Sequence, residues 1–327
     1  MLHLKASSEM TAERTVARSI QTPPAPTPTK RTRSGNLKET LSSQAFLIPI
    51  VLVFIVLIGV PFGESVYYSF TNWSGLDPNI RFVGLDNYVR VFTDPSLLAG
   101  LGFTIFFAVG TTLLITVFAI PLAVILNQRF FGRRFVRALY FFPAIPSIAI
   151  LGLVWNFILS PLGSGALNSA LKTIANIGPV PWLADPTLAQ ISVVVVGIWT
   201  STGWHAILYL AYLQAIPSDY YEVARIDGAS SRQRFFYITL PLLAPAITIS
   251  TLLLMIGGLN VYALPQTLTG GGPGYATFTI TQSIINSGIS QSKYGQASAL
   301  GVVFMIAVGI VVILQLRLGR RLERNAS

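Results

Sequence analysis

Cysteine is absent from the sequence, which excludes a disulfide framework, a thiolate metal site and a cysteine nucleophile. Histidine is nearly absent: His3 and His205 supply no convincing nucleophile–base pair or metal cluster for an intramembrane enzyme. Charge is also scarce, at 10% of 327 residues against 52% hydrophobic. A soluble domain needs more charge than that to cover its surface, so the composition points to a membrane protein. Acids are the scarcer sign, 12 against 22 Lys and Arg, giving a net charge of +10. In a soluble protein that excess would suggest nucleic acid, so the positions of the charges decide its meaning.

Six windows lack Asp, Glu, Lys and Arg altogether, and each is long enough for the roughly 20 apolar residues that a bilayer span needs. They place spans near Phe46–Pro61, Leu98–Leu126, Ala138–Leu159, Leu188–Ala215, Leu242–Leu268 and Ala297–Leu316. The stretch Tyr275 to Gln291 carries Thr277, Thr279, Thr281, Gln282, Ser283, Asn286, Ser287 and Ser290, and reads as an interfacial or re-entrant segment. The arginines then orient the spans. Arg129, Arg133, Arg134 and Arg137 fill the second loop, Arg225, Arg232 and Arg234 the fourth, and Arg317, Arg320, Arg321 and Arg324 the carboxyl tail. The alternate loops hold only Arg81, Arg90, Lys172 and Lys293. Short cytoplasmic loops retain Lys and Arg, so both termini are expected in the cytoplasm and the positive balance reflects topology, not nucleic acid. The fold class expected is an all-α polytopic membrane protein with six transmembrane helices.

Residues 1–43 hold no apolar run, hence no cleavable signal, and the Pro-rich stretch Gln21 to Thr29 reads as a disordered cytoplasmic tail. A transmembrane domain is expected over 44–318, followed by a short cytoplasmic tail at 319–327. The polar outer loop from Glu64 to Pro95 is expected to cover the outer mouth. Pro143 and Pro146 each remove a backbone hydrogen bond early in the third span and permit a kink.

The most informative segment is the inner loop 217–241. Pro217 ends the fourth span. Asp219 is expected to N-cap a short helix with Glu222 as the acidic arm of a capping box, and Gly228 to end it in a left-handed turn. Ser230 and Gln233 fit a second capping box, and Pro241 is expected to open the next membrane helix. Small residues, Ala224, Gly228 and Ala229, let a partner approach the backbone, while Tyr221, Ile226, Phe235 and Phe236 are candidates to fill its groove.

Glu222, Ala224, Asp227, Gly228, Ala229, Ile238, Leu240 and Pro241 match the signature loop of binding-protein-dependent ABC importer permeases; Val223 stands where that family usually has alanine. The resemblance implies a type I importer permease fold in a bacterial or archaeal cytoplasmic membrane. It implies coupling through Glu222, Ala224, Asp227, Gly228, Ala229, Leu240 and Pro241 to a socket on a separate ATPase. It also implies a second homologous permease, two ATP-binding subunits that hold the ATP and Mg, and an extracytoplasmic sugar-binding protein. No cofactor is expected in this chain: no phosphate-binding Gly-x-x-x-x-Gly-Lys loop occurs, and Gly270-Gly271-Gly272-Pro273 lacks the lysine.

Further stretches, Phe82 to Tyr88, Trp182 to Pro186 and Leu268 to Pro273, resemble the carbohydrate branch of that family, and within it the maltose-type first permease. A sugar site wants aromatic faces and a few hydroxyl or amide groups in a preformed cavity. The resemblance places the pathway around Ser201 and Trp204 in the fourth span and Gly258 and Asn260 in the fifth. Asn260 serves equally well as an interhelical hydrogen-bonding residue. Two alternatives stay open: an ABC permease for a non-sugar solute, and a self-contained secondary transporter. Against the second, the six spans hold no ionisable Asp, Glu, Lys or Arg of the kind ion coupling uses.

Overall fold

The structure is a computed structural model that describes residues 47–326. The tail expected over residues 1–43, with 44–46 and Ser327, lies outside the described residues. The described chain is helical, and the pairing of Thr71 with Phe82 is an isolated antiparallel bridge.

Two compact units divide at Gly59 and Val60. In the first, α1 (Ile48–Phe54) runs into a π-helical turn, Ile55–Gly59; every residue is apolar or glycine except for Pro49 near the helix start, where proline costs no hydrogen bond.

The second unit begins with α2 (Val60–Tyr68) and a loop leading to α3 (Asp86–Thr93). The loop is tied down by buried Asn87, whose side-chain amide donates to the Ser69 and Thr71 carbonyls at 2.9 and 2.8 Å. Then follow α4 (Pro95–Asn127), α5 (Arg133–Phe141), α6 (Ile148–Ile158) and α7 (Ala166–Ala175). Asn168 of α7 organises the loops on either side of that helix: its amide reaches the Ser160, Leu162 and Val180 carbonyls, and its carbonyl accepts from the Val180 N–H and Trp182 Nε1.

The long helix α8 (Pro186–Ala215) is N-capped by Asp185, which accepts from the Leu188 N–H at 2.9 Å. After it come α9 (Asp219–Ile226), α10 (Ser231–Leu242), α11 (Ala244–Leu259), α12 (Ala263–Thr269), α13 (Ile280–Ile285) and α14 (Tyr294–Ala326).

Four helical stretches are long and apolar enough to cross a membrane: Ile48–Tyr68, Gly100–Asn127, Pro186–Ala215 and Tyr294–Arg321. Two more qualify only as bent pairs, α5 with α6 at 92° and α10 with α11 at 66°. The third expected span, Ala138–Leu159, is therefore not a straight helix. Its helix breaks after the 3₁₀ turn Phe142–Ala144, and Pro143 and Pro146 deny the amides that would carry it through. The fifth, Leu242–Leu268, is likewise α11 followed, after a break at Asn260 to Tyr262, by the short α12. The polar stretch expected to lie at the interface forms α13 and a π turn, Asn286–Ser290, and its Thr277, Thr279, Gln282 and Ser283 are buried in the protein.

The largest buried apolar cluster among the described residues is a three-helix seam. Ile115, Ala119, Ala123 and Leu126 of α4 meet Ala206, Tyr209, Leu210 and Leu213 of α8, closed by Leu243 and by Ala246 and Leu254 of α11. Small residues let the helices close up. A Cβ on Gly258 would stand 2.7 Å from the Cα of buried Ala108, so only glycine allows α11 and α4 to cross there.

Candidate functional site

The loop between α8 and α10 is a rigid, capped elbow. α8 ends at Ala215, before Pro217. Ser218, not Asp219, occupies the N-cap of α9, with no side-chain cap bond; Asp219 and Glu222 instead place their charge in the first turn, where the helix dipole favours it. The other end is closed as expected. Gly228 takes φ +78°, the Gly228 N–H donates to the Arg225 carbonyl at 3.1 Å, and the Ala229 N–H donates to Ala224 at 2.9 Å. Those two bonds form a Schellman closure. Ser230 and Gln233 then bond reciprocally: the Gln233 N–H donates to Ser230 Oγ at 3.3 Å and the Ser230 N–H to Gln233 Oε1 at 2.8 Å. Pro241 does not open α11. It lies inside α10, and α11 starts past the bend, with Pro245 in its first turn.

Glu222 and Asp227 are exposed, Ala224 and Ala229 half-buried, and Leu240 and Pro241 half-buried at the foot of the elbow. Of the four apolar residues expected to reach a partner, two point outward: Ile226 is 84% and Phe236 49% exposed. The other two serve this chain. The Tyr221 hydroxyl lies 3.1 Å from Thr239 Oγ1, and Phe235 packs on the α4–α8–α11 core.

The elbow is joined by α8 to two adjoining cavities of about 260 and 360 Å³. Both are lined by Ile148, Thr200, Ser201 and His205. Gly258 borders the first, and Trp204 borders the second beside Pro143 and Pro146. His205 is fixed by a 2.7 Å hydrogen bond between Nδ1 and Ser250 Oγ of α11, and Trp204 meets its ring edge-on at 4.7 Å.

Three of the four expected pathway residues are thus gathered here, and Asn260 is not. It is exposed, and its amide donates to the Ile256 carbonyl of its own helix at 2.8 Å. The sequence reading missed Thr111 and Phe107 of α4, which also line the first cavity. The Thr111-Thr112 pair inside an apolar run was the available signal.

Residues 115–324 match the family described as binding-protein-dependent transport system inner membrane component. The chain belongs to that family. The permease is 34% identical over 282 residues to the multiple sugar-binding transport system permease protein MsmF of Streptococcus mutans, covering 85% of this chain and 95% of that protein. It is 36% identical over 275 residues to the trehalose/maltose transport system permease protein MalF of Thermococcus litoralis, covering 84% and 91%. A probable ABC transporter permease of Bacillus subtilis, YurN, is 33% identical over 275 residues, 83% of this chain and 94% of its own. Among solved structures, a chain of a bacterial ABC transporter involved in import of the acidic polysaccharide alginate superposes with TM-score 0.76 at 24% identity, over 88% of this chain and 98% of that one. That last likeness is one of fold.

Proposed function

We propose that this permease is the first of two homologous permease subunits of an ATP-driven importer for a neutral carbohydrate, and forms half of its translocation pathway. The observation that carries the reading is that one helix, α8, bears both an uncharged, mostly apolar cavity with a few polar groups and the stiff elbow. Ser201 stands 14 residues before Ala215, about 20 Å along the helix. A push on the elbow reaches the cavity wall through a single rigid element. Neither cavity is lined by Asp, Glu, Lys or Arg, and its hydroxyls, imidazole and indole suit a sugar. The relatives named for multiple sugars and for trehalose and maltose support the same cargo class.

In this reading each bent pair counts as one span. Six spans then run through the domain 44–318, with both ends and the 319–327 tail in the cytoplasm, a reading that the arginine distribution supports. ATP and Mg belong to two separate ATP-binding subunits. Those subunits seat Glu222, Ala224, Asp227, Gly228 and Ala229, while Leu240 and Pro241 transmit the movement to α11. An extracytoplasmic binding protein delivers the cargo between Ser201, Trp204 and Gly258 and the second permease. The ATP-bound state must favour the outward-facing form, since only differential affinity moves an equilibrium.

The test is to purify the tagged chain from membranes in mild detergent and identify its companions by mass spectrometry. A second permease, an ATPase and a sugar-binding protein are expected. The chain alone, moving solute in liposomes without ATP, would overturn the importer and restore a secondary transporter.

A further inference from the structure

Against the elbow, on the side of α4, lies a separate cavity of about 730 Å³. Three arginines from three segments line it: Arg129 just past the end of α4, Arg225 on α9 and Arg234 on α10. Gln128, Tyr221 and Ser231 add polar groups. No carboxylate is among the lining residues, and Asp219, Glu222 and Asp227 of the same loop stand outside it. Among the described residues none of the three guanidinium groups is paired with an acid. Arg225 Nε donates to the Tyr221 carbonyl at 3.3 Å, and Arg234 donates to Ser231 Oγ at 3.1 Å. Three like charges around one polar cavity repel each other and raise the local concentration of anions. Guanidinium forks match the oxygens of a phosphate.

The cavity lies at the end of an apolar helical stretch, Gly100–Asn127, long enough to cross a membrane. α4 has just ended at Asn127, and the next residues put Phe131 and Phe135 into the open, 104% and 72% exposed, beside Arg133 and Arg134. Exposed aromatic rings among arginines suit a headgroup layer, and basic pockets at the inner ends of spans suit anionic headgroups. We propose that the cavity binds a phosphate-bearing anion, either the headgroup of an anionic phospholipid or a soluble phosphate compound. Its inner-face location rests on the topology proposed above. An occupant would clamp the end of α4 to α9 and α10, so that coupling through the elbow depends on it.

The full chain, purified in detergent and stripped of lipid, is titrated with phosphatidylglycerol and with phosphatidylcholine and followed by native mass spectrometry. Preference for phosphatidylglycerol is expected to fall at least about tenfold in Arg129→Gln/Arg225→Gln/Arg234→Gln. It should survive in Arg81→Gln/Arg317→Gln/Arg321→Gln, which removes the same charge at positions outside the cavity lining. Circular dichroism and gel filtration check folding, and Arg129→Gln alone serves if the triple variant aggregates. Equal losses in both triple variants, or none in the first, would overturn the site. Inorganic phosphate displacing the lipid at millimolar concentration assigns the soluble source; no displacement assigns the headgroup. Labelling of Ser231→Cys from one membrane face reads the topology separately, so an error there is not confused with failure of the site.

Discussion

The His205 imidazole and the Ser250 hydroxyl form a buried 2.7 Å hydrogen bond that pins α8 to α11 beside the cavities. The bond does two things. It locks the centre of two helices together, and it fixes the ring that both cavities share. Removing one partner leaves a buried polar group unsatisfied, so Ser250→Ala is expected to cost about 1–3 kcal/mol. A lower unfolding temperature in detergent, with a larger rise in KM for uptake than fall in kcat, is the expected result. An unchanged melt would show the bond to be dispensable.

Gly258→Leu should be more damaging than its distance from the elbow suggests. Its side chain would be driven into Ala108, where a single Cβ is already too close. Overpacking of this kind costs about 1–3 kcal/mol, and here it would also part α4 from α11. Poor recovery of monodisperse protein is expected. Asn260→Ala, at an exposed site outside both cavities, should leave yield and uptake unchanged.

Gly228→Ala isolates a backbone effect, because nothing lies within 4 Å of the added carbon while φ is +78°. The left-handed conformation costs a residue with a Cβ about 1–2 kcal/mol. The elbow should loosen without disturbing the core. Normal membrane insertion with reduced ATP-driven uptake is the expected pair of readings, and full uptake would mean that the closure need not be stiff.

Glu222→Ala separates coupling from stability. Glu222 is exposed, and a surface substitution of this kind changes stability by no more than about 0.5 kcal/mol. Unaltered expression with ATP hydrolysis no longer producing uptake is expected. Wild-type transport would remove Glu222 from the coupling interface.

Asn168→Ala would release three carbonyls, one backbone N–H and the Trp182 indole at once. Faster proteolysis between Ser160 and Trp182 is expected, with the helices behind it intact. Equal cleavage rates in both proteins would show that the loop is held by other contacts.

The elbow was the most legible part of the protein because its determinants are local. A left-handed glycine and a reciprocal Ser230–Gln233 cap follow from a few neighbouring residues, so spacing was enough to place them. Asp219 misled because Ser218, one residue earlier, took the N-cap position. The spans were legible as apolar windows but not as shapes. Hydropathy counts residues and does not register that Pro143 and Pro146 turn a window through 92°.

By itself the sequence determined a membrane chain free of thiol chemistry, its apolar windows, its basic loops and the capped elbow, all set by composition or short-range spacing. Only the tertiary structure decided which side chains meet: Thr111 of α4 and Ser201 of α8 on one cavity, His205 against Ser250, Gly258 against Ala108, and three arginines around another cavity. Those meetings join residues tens to more than a hundred positions apart. They depend on how closely small residues let the helices cross, which no single helix's sequence specifies.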